Sequence, residues 1–180
     1  MNKINYKDIN LRLLKGIKSD YQYLYTWYQS KEVYTYFEQR SLSYEEIVRK
    51  YQPRTTQESI TPVYMIEYKN IPIGIIQYTK LTQEDKSKYH LTKNGYEIDI
   101  FIGNSKYYNL GIGTYVIKLL IQELSLSKNI FVMTPETRNH RAINCYKKVG
   151  FIPHEKFYEL DTLGKNMQEK TIMVLNNNWQ

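Results

Sequence analysis

Apolar residues recur along this chain with two periods, and those periods predict its elements. Ile9 to Leu14 reads as a first strand. Ser19 is placed to cap a helix carrying Tyr23, Leu24 and Trp27. Ser43, followed three residues later by Glu46, has the spacing of a capping box for a second helix to about Tyr51, which Pro53 ends. Val63 to Tyr68 and Ile73 to Leu81 are β-rich runs separated by Lys69, Asn70, Ile71 and Pro72, a hairpin signal. The polar stretch from Thr82 to Asn94 predicts a mobile loop placed to cover a substrate.

From Tyr96 to Ile102 the alternation is strict: Ile98, Ile100 and Ile102 face one way, Glu97, Asp99 and Phe101 the other. By itself this fits an edge strand with one face in water. The apolar run Val116, Ile117, Leu119, Leu120, Ile121 and Leu124 then predicts a helix, and Ile130 to Thr134 a strand. A further helix is capped by Asn139 and stopped by Gly150, with Ala142, Cys145, Tyr146 and Val149 on its inward face. Two strands follow, Phe151 to Leu160 and Thr171 to Leu175, joined by a turn at Gly164.

Composition narrows the class. A chain of 180 residues, 42% of them apolar, with no Pro/Gly/Ser-rich linker and no repeat, reads as one domain, residues 1–180. No hydrophobic segment near the N-terminus resembles a signal peptide, and the longest apolar run is interrupted by Lys118, so a cytoplasmic protein with no membrane contact is expected. The single cysteine, Cys145, forms no internal disulfide and falls on the inward face of its helix, where a small core residue is the simpler reading than a nucleophile. His90, His140 and His154 lack metal-ligand spacing, so no metal is expected. The 25 basic and 18 acidic residues leave a net charge of +7, which suits a polyanionic partner, but the basic residues are scattered and form no nucleic-acid-binding stripe.

Two segments carry chemistry. Tyr108, Asn109, Leu110, Gly111, Ile112, Gly113 and Thr114 put two glycines at the mouth of a helix, where backbone can approach a ligand and free N–H groups favour an anion. Read alone, the pair also fits a tight turn. The second segment runs from Asn139 through Arg141, Ala142, Cys145 and Tyr146 to Gly150 and Phe151. In this order and spacing the two resemble the acetyl-coenzyme A signature of the Gcn5-related N-acetyltransferases (GNAT). The first segment departs from the pattern at Tyr108, where Gln or Arg is usual.

From about Leu11 to Leu175 the chain is similar to the aminoglycoside 6′-N-acetyltransferases of that superfamily. The likeness is carried by Ile66-Glu67-Tyr68, Ile71-Pro72-Ile73-Gly74, Asp99 with Phe101-Ile102-Gly103, and the two segments above. It implies an α/β (α+β) fold, with a central mixed sheet of about seven strands flanked by about four helices, in which the strand from Tyr96 to Ile102 is central with both faces covered and Glu97 and Asp99 point into a cleft. It implies acetyl-CoA as cosubstrate, an aminoglycoside as the small-molecule partner, no nucleic acid, and a monomer or homodimer. By the same resemblance Asp99 is the base and cation anchor, and Tyr146 protonates the departing thiolate. Backbone N–H near Phe101 or Ile102 polarises the thioester, the amides of Leu110, Gly111, Ile112, Gly113 and Thr114 hold the pyrophosphate, and Asn139 contacts the pantetheine arm. A polycationic sugar approaching a basic protein requires local acids, for which Glu97, Asp99, Glu136, Glu155 and Glu159 are candidates, with Trp27, Tyr36 and Phe37 as apolar walls. Many members of the subfamily have Asp before the proline that follows the fifth strand; this chain has Thr134, with Glu136 just beyond Pro135. That departure keeps a second acceptor class open, another amine such as a protein N-terminus or a polyamine.

Overall fold

The computed structural model describes residues 4–124 and 129–176. Seven strands, β1 (Ile9–Leu13), β2 (Val63–Tyr68), β3 (Ile71–Lys80), β4 (Gly95–Ile102), β5 (Ile130–Met133), β6 (Ile152–Leu160) and β7 (Met167–Asn176), form one sheet in the order β1-β2-β3-β4-β5-β7-β6. Among the described strands only β4 and β5 pair in parallel, so the sheet is mixed. The described residues hold six helices: α1 (Lys18–Tyr28), α2 (Lys31–Phe37), α3 (Tyr44–Tyr51), α4 (Gln83–Lys88), α5 (Ile112–Leu124) and α6 (His140–Val149). None is long and apolar enough to cross a membrane.

The expected sheet is present, but the helices number six where about four were expected, the additions being α2 and α4. α2 has one fully buried residue, Val33, and the hydroxyl of its N-cap Ser30 donates to Glu32 instead of capping the backbone. It therefore leaves little periodic signal. α4 lies inside the stretch expected to be a mobile loop. Thr82 and Asp85 form its capping box, and Lys86 is buried and donates to Asn94 at 2.9 Å, anchoring the segment to the sheet.

Local rules set most other boundaries. The Ser43–Glu46 capping box forms as expected, an arrangement worth about 1 kcal/mol. Ser19, in contrast, lies inside α1, whose N-cap is Ile17; the first turn is held by buried Asp20, which takes both ends of the Arg12 guanidinium. Arg12 also donates to Glu67, tying β1, α1 and β2 together. The β2–β3 turn is shorter than expected: Lys69 (φ 52°) and Asn70 (φ 63°) make it alone, in the doubly left-handed form that matches strand twist, and Ile71 and Pro72 belong to β3. β7 runs beyond the expected Thr171 to Leu175 at both ends.

Strand alternation sorts the core into layers. Ile66, Ile73, Ile76 and Ile98 pack with Val116, Ile117, Leu120, Tyr146 and Val149 of α5 and α6. On the opposite face Val63, Met65, Ile75 and Phe101 meet Leu24, Trp27, Tyr28, Ile47 and Tyr51 of α1 and α3. Each such aliphatic side chain removed from water contributes about 1.5–3 kcal/mol, so both faces of β4 are committed and it is no edge strand.

Candidate active site

β4 pairs with β3 from Gly74↔Ile102 to Lys80↔Tyr96, but with β5 only as far as Glu97↔Val132. Beyond that point the two parallel strands part, and a cleft of about 810 Å³ lies between them. The N–H of Gly103 donates to the Ile73 carbonyl and that of Leu81 to the Gly95 carbonyl. Antiparallel alternation from these bonds turns the N–H groups of Ile100 and Ile102 away from β3, toward the open side. These are obligatory donors with no strand beside them among the described residues.

At one end of the cleft lie Gly111, Ile112, Gly113 and Thr114, where α5 begins. Gly111 has φ +77°, and a Cβ there would stand 2.5 Å from the Tyr6 hydroxyl, which donates to the Leu110 carbonyl. Gly113 answers to a different neighbour: its Cβ would meet Cys145 Sγ at 3.1 Å, so this glycine lets α6 approach α5. From α6, Arg141 stacks over the Tyr108 ring at 4.3 Å, bringing a cation beside the position where the motif departs from its usual form. An exposed glycine turn at a helix start, with Arg141 and Lys148 lining the same cleft, fits a pyrophosphate.

Farther in, Asp99 accepts from Gln77 Nε2 at 3.0 Å, and Gln77 Oε1 accepts from Arg54 at 3.2 Å. Asp99 makes no ion pair among the described residues, so its carboxylate is available to an incoming cation. Tyr146 lines the same cleft, and burial, with smaller contributions from Cys145 and Asp99, holds its hydroxyl well above the ordinary tyrosine range. It is therefore a neutral proton donor at any physiological pH. Burial likewise raises the Cys145 thiol, which suits a packing role and not a nucleophile. Glu136 is only 5% exposed; its Oε2 accepts from Arg138 at 2.6 Å, while its buried Oε1 has no partner among the described residues.

Glu97 sits one layer back. It accepts from the Thr134 hydroxyl at 2.6 Å and from the Tyr89 hydroxyl at 3.1 Å, and does not itself line the cleft. Burial first, and then the charge of Asp99, push its carboxyl up to about 7, against the opposing pull of those two hydrogen bonds and of Lys170.

Of the residues singled out in the sequence, the cleft brings together Asp99, Phe101, Ile102, Gly111, Ile112, Gly113, Thr114, Asn139, Tyr146, Tyr36, Phe37 and Glu136. Asn139 spends its side-chain oxygen on capping α6 through the Ala142 N–H. Trp27 is no wall of this cleft: it is buried, edge-on to Phe101, beneath Gly103. Leu110 stands behind the turn, Glu155 pairs with His90 at the outer strand β6, and Glu159 is taken by Lys88 and Lys170. Residues that sequence reasoning missed are Gln77, Arg54, Lys50 and Lys170. Gln77, a polar residue inside the otherwise apolar β3 run, offered the one usable signal.

The family model described as an acetyltransferase (GNAT) domain matches residues 16–158. The chain belongs to the GNAT acetyltransferase family. The aminoglycoside N(6′)-acetyltransferase type 1 of Klebsiella pneumoniae is 29% identical over 150 residues, covering 79% of this chain and 73% of that protein. The structure of AAC(6′)-Ib in complex with paromomycin and acetyl-CoA superimposes with a TM-score of 0.77 at 21% identity, over 94% of each chain. Spermidine N-acetyltransferase from Vibrio cholerae, in complex with CoA and spermine, gives a TM-score of 0.74 at 15% identity, over 94% of this chain and 96% of that one. These structural likenesses extend the agreement in fold to nearly the whole chain.

Proposed function

We propose that this protein is an acetyl-CoA-dependent aminoglycoside 6′-N-acetyltransferase. The observation that carries the reading is Asp99, an acid with no ion pair among the described residues, sharing one cleft with the buried donor Tyr146 and the glycine turn of α5. Acetyl-CoA supplies the activated acetyl group as a thioester. Arg141 and the amides of the Gly111 turn hold the pyrophosphate; the Asn139 amide nitrogen, its oxygen being used by the cap, is the group that reaches the pantetheine.

Asp99 anchors the acceptor ammonium and takes its proton, which frees the nitrogen lone pair to attack the thioester carbon. The N–H groups of Ile100 and Ile102 stabilise the negative charge that develops on the carbonyl oxygen. Tyr146 gives its proton to the departing sulfur. Gln77 holds Asp99 in place, and Arg54 holds Gln77. Glu136, with one oxygen that has no partner among the described residues, accepts a second ammonium of a polycationic substrate.

The cations Lys50, Arg54 and Lys170 in the same cleft favour a second reading, an amine acceptor that also carries acidic or carbonyl groups, such as a peptide N-terminus. Thiol release measured with kanamycin, with a kanamycin derivative lacking the 6′-amine, and with peptides separates the two. Turnover of kanamycin alone supports the 6′ assignment. Equal turnover of the derivative removes it.

A further inference from the structure

Thr134 lines the cleft at the end of β5, and its hydroxyl proton is directed backward onto Glu97. A hydroxyl whose proton is engaged presents only lone pairs on its other side. We propose that Glu97 and Thr134 form a two-residue relay that makes an acceptor for a substrate ammonium: Glu97 supplies the charge from behind the cleft wall, and Thr134 presents it as an oriented lone pair. This rests on the reading of the cleft as an amine-acceptor site and adds a specificity element to it. Glu97 is a positioning residue, because it acts through Thr134.

Three observations converge on the relay. Glu97 projects from the same face of β4 as Asp99, two residues away, so the lone pair it orients lies beside the acceptor nitrogen that Asp99 holds. Its second oxygen is fixed by Tyr89, whose hydroxyl burial keeps protonated and therefore donating. Tyr89 is itself seated by α4, which explains why the polar stretch before β4 is ordered against the sheet.

The groups facing Glu97 are Asp99 on its own strand, Tyr89 from the segment after α4, Thr134 after β5 and Lys170 on β7. When Glu97 is ionised, the Thr134 proton points to it and the cleft sees an acceptor. When Glu97 is protonated, the carboxyl can donate to Thr134 and release that hydroxyl proton toward the cleft, where it opposes a cation. With the Glu97 carboxyl pushed up to about 7 by burial and by Asp99, acceptor affinity is expected to rise as pH increases through that range.

Steady-state acetylation of kanamycin over about pH 6 to 9, with Glu97→Gln, Thr134→Val and the double variant, tests the relay. The expected result is KM for kanamycin raised about 10- to 100-fold in each single variant, the worth of a charge-assisted hydrogen bond, with kcat within a few-fold and KM for acetyl-CoA unchanged. The double variant is no worse than the singles, because both break one interaction. Glu97→Gln also loses the pH-dependent rise in affinity, and Thr134→Ser, which keeps the hydroxyl, recovers most of what Thr134→Val loses. Thr134→Ala replaces Thr134→Val should valine prevent folding. Wild-type KM in Thr134→Val, or losses that multiply in the double variant, overturns the relay and leaves the acetyltransferase reading intact. Absence of kanamycin acetylation by the wild-type protein overturns that reading and the relay with it.

Discussion

Asp99→Asn is the sharpest perturbation of the proposed chemistry, because it changes charge and basicity with almost no change in shape. Gln77 Nε2 keeps an acceptor in the new side chain's oxygen, so the Arg54–Gln77 support stays in place. Two contributions are lost together: the proton acceptor and a cation anchor that makes no ion pair among the described residues. A positioned base contributes about 10²- to 10⁴-fold, which is about 3 to 5 kcal/mol of transition-state stabilisation, and kcat/KM for kanamycin is expected to fall by that amount. Acetyl-CoA affinity is expected to stay at the wild-type value. Raising the pH partly rescues the variant, since more of the free amine then arrives deprotonated. A second signature follows from Glu97: the charge of Asp99 helps to raise its carboxyl, so Asp99→Asn moves the Glu97 titration to lower pH. The assay is thiol release followed spectrophotometrically across pH, with acetyl-CoA binding by calorimetry. Wild-type kcat/KM at neutral pH would falsify the assignment of Asp99 as base and anchor.

Gly111→Val should weaken acetyl-CoA binding, measured by calorimetry, and leave aminoglycoside affinity nearly unchanged, because valine is strained at φ +77° and its Cβ meets the Tyr6 hydroxyl at 2.5 Å; normal binding would make the glycine a structural turn only. Gly103→Ala drives a Cβ to within 2.2 Å of the Trp27 ring, so urea unfolding should show a loss of about 1–3 kcal/mol, and a loss below about 0.5 kcal/mol would mean that Trp27 is free to move. Glu97→Gln should stabilise the protein at pH 8. The raised carboxyl holds its proton more tightly in the folded than in the unfolded chain, so its contribution is full below the ordinary glutamate range and is lost as pH rises toward 7. The gain at pH 8 is on the order of 1 to 3 kcal/mol by denaturant titration and vanishes near pH 4; destabilisation at pH 8 would show that Glu97 serves the fold.

Elements whose signal is local are legible in the amino-acid pattern. β2 and α3 have their expected bounds within a residue, the inward face of α6 is as the periodicity requires, and the alternation of β4 puts Glu97 and Asp99 on one side. α2 and α4 are not legible, because each is shorter than two full turns and has a single buried residue to mark its period. Trp27 shows the limit for site residues: an aromatic on a helix face suits a core and a substrate wall equally, and only the close approach of Gly103 decides for the core. The contacts between Thr134 and Glu97, and between Gln77 and Asp99, join residues 37 and 22 positions apart. Strand register creates both. In the sequence Thr134 marks a missing acid; in the fold a carboxylate stands directly behind its hydroxyl.

The reaction proposed for this cleft is acetylation of the 6′-amine of an aminoglycoside with acetyl-CoA. The direct test is to incubate the purified protein with acetyl-CoA and kanamycin, isolate the product and locate the acetyl group by two-dimensional NMR. A single acetyl group on the 6′-nitrogen, formed by the wild-type protein and lost in Asp99→Asn, is the predicted result. Unmodified kanamycin in the presence of bound acetyl-CoA, or an acetyl group on any other nitrogen, would contradict it.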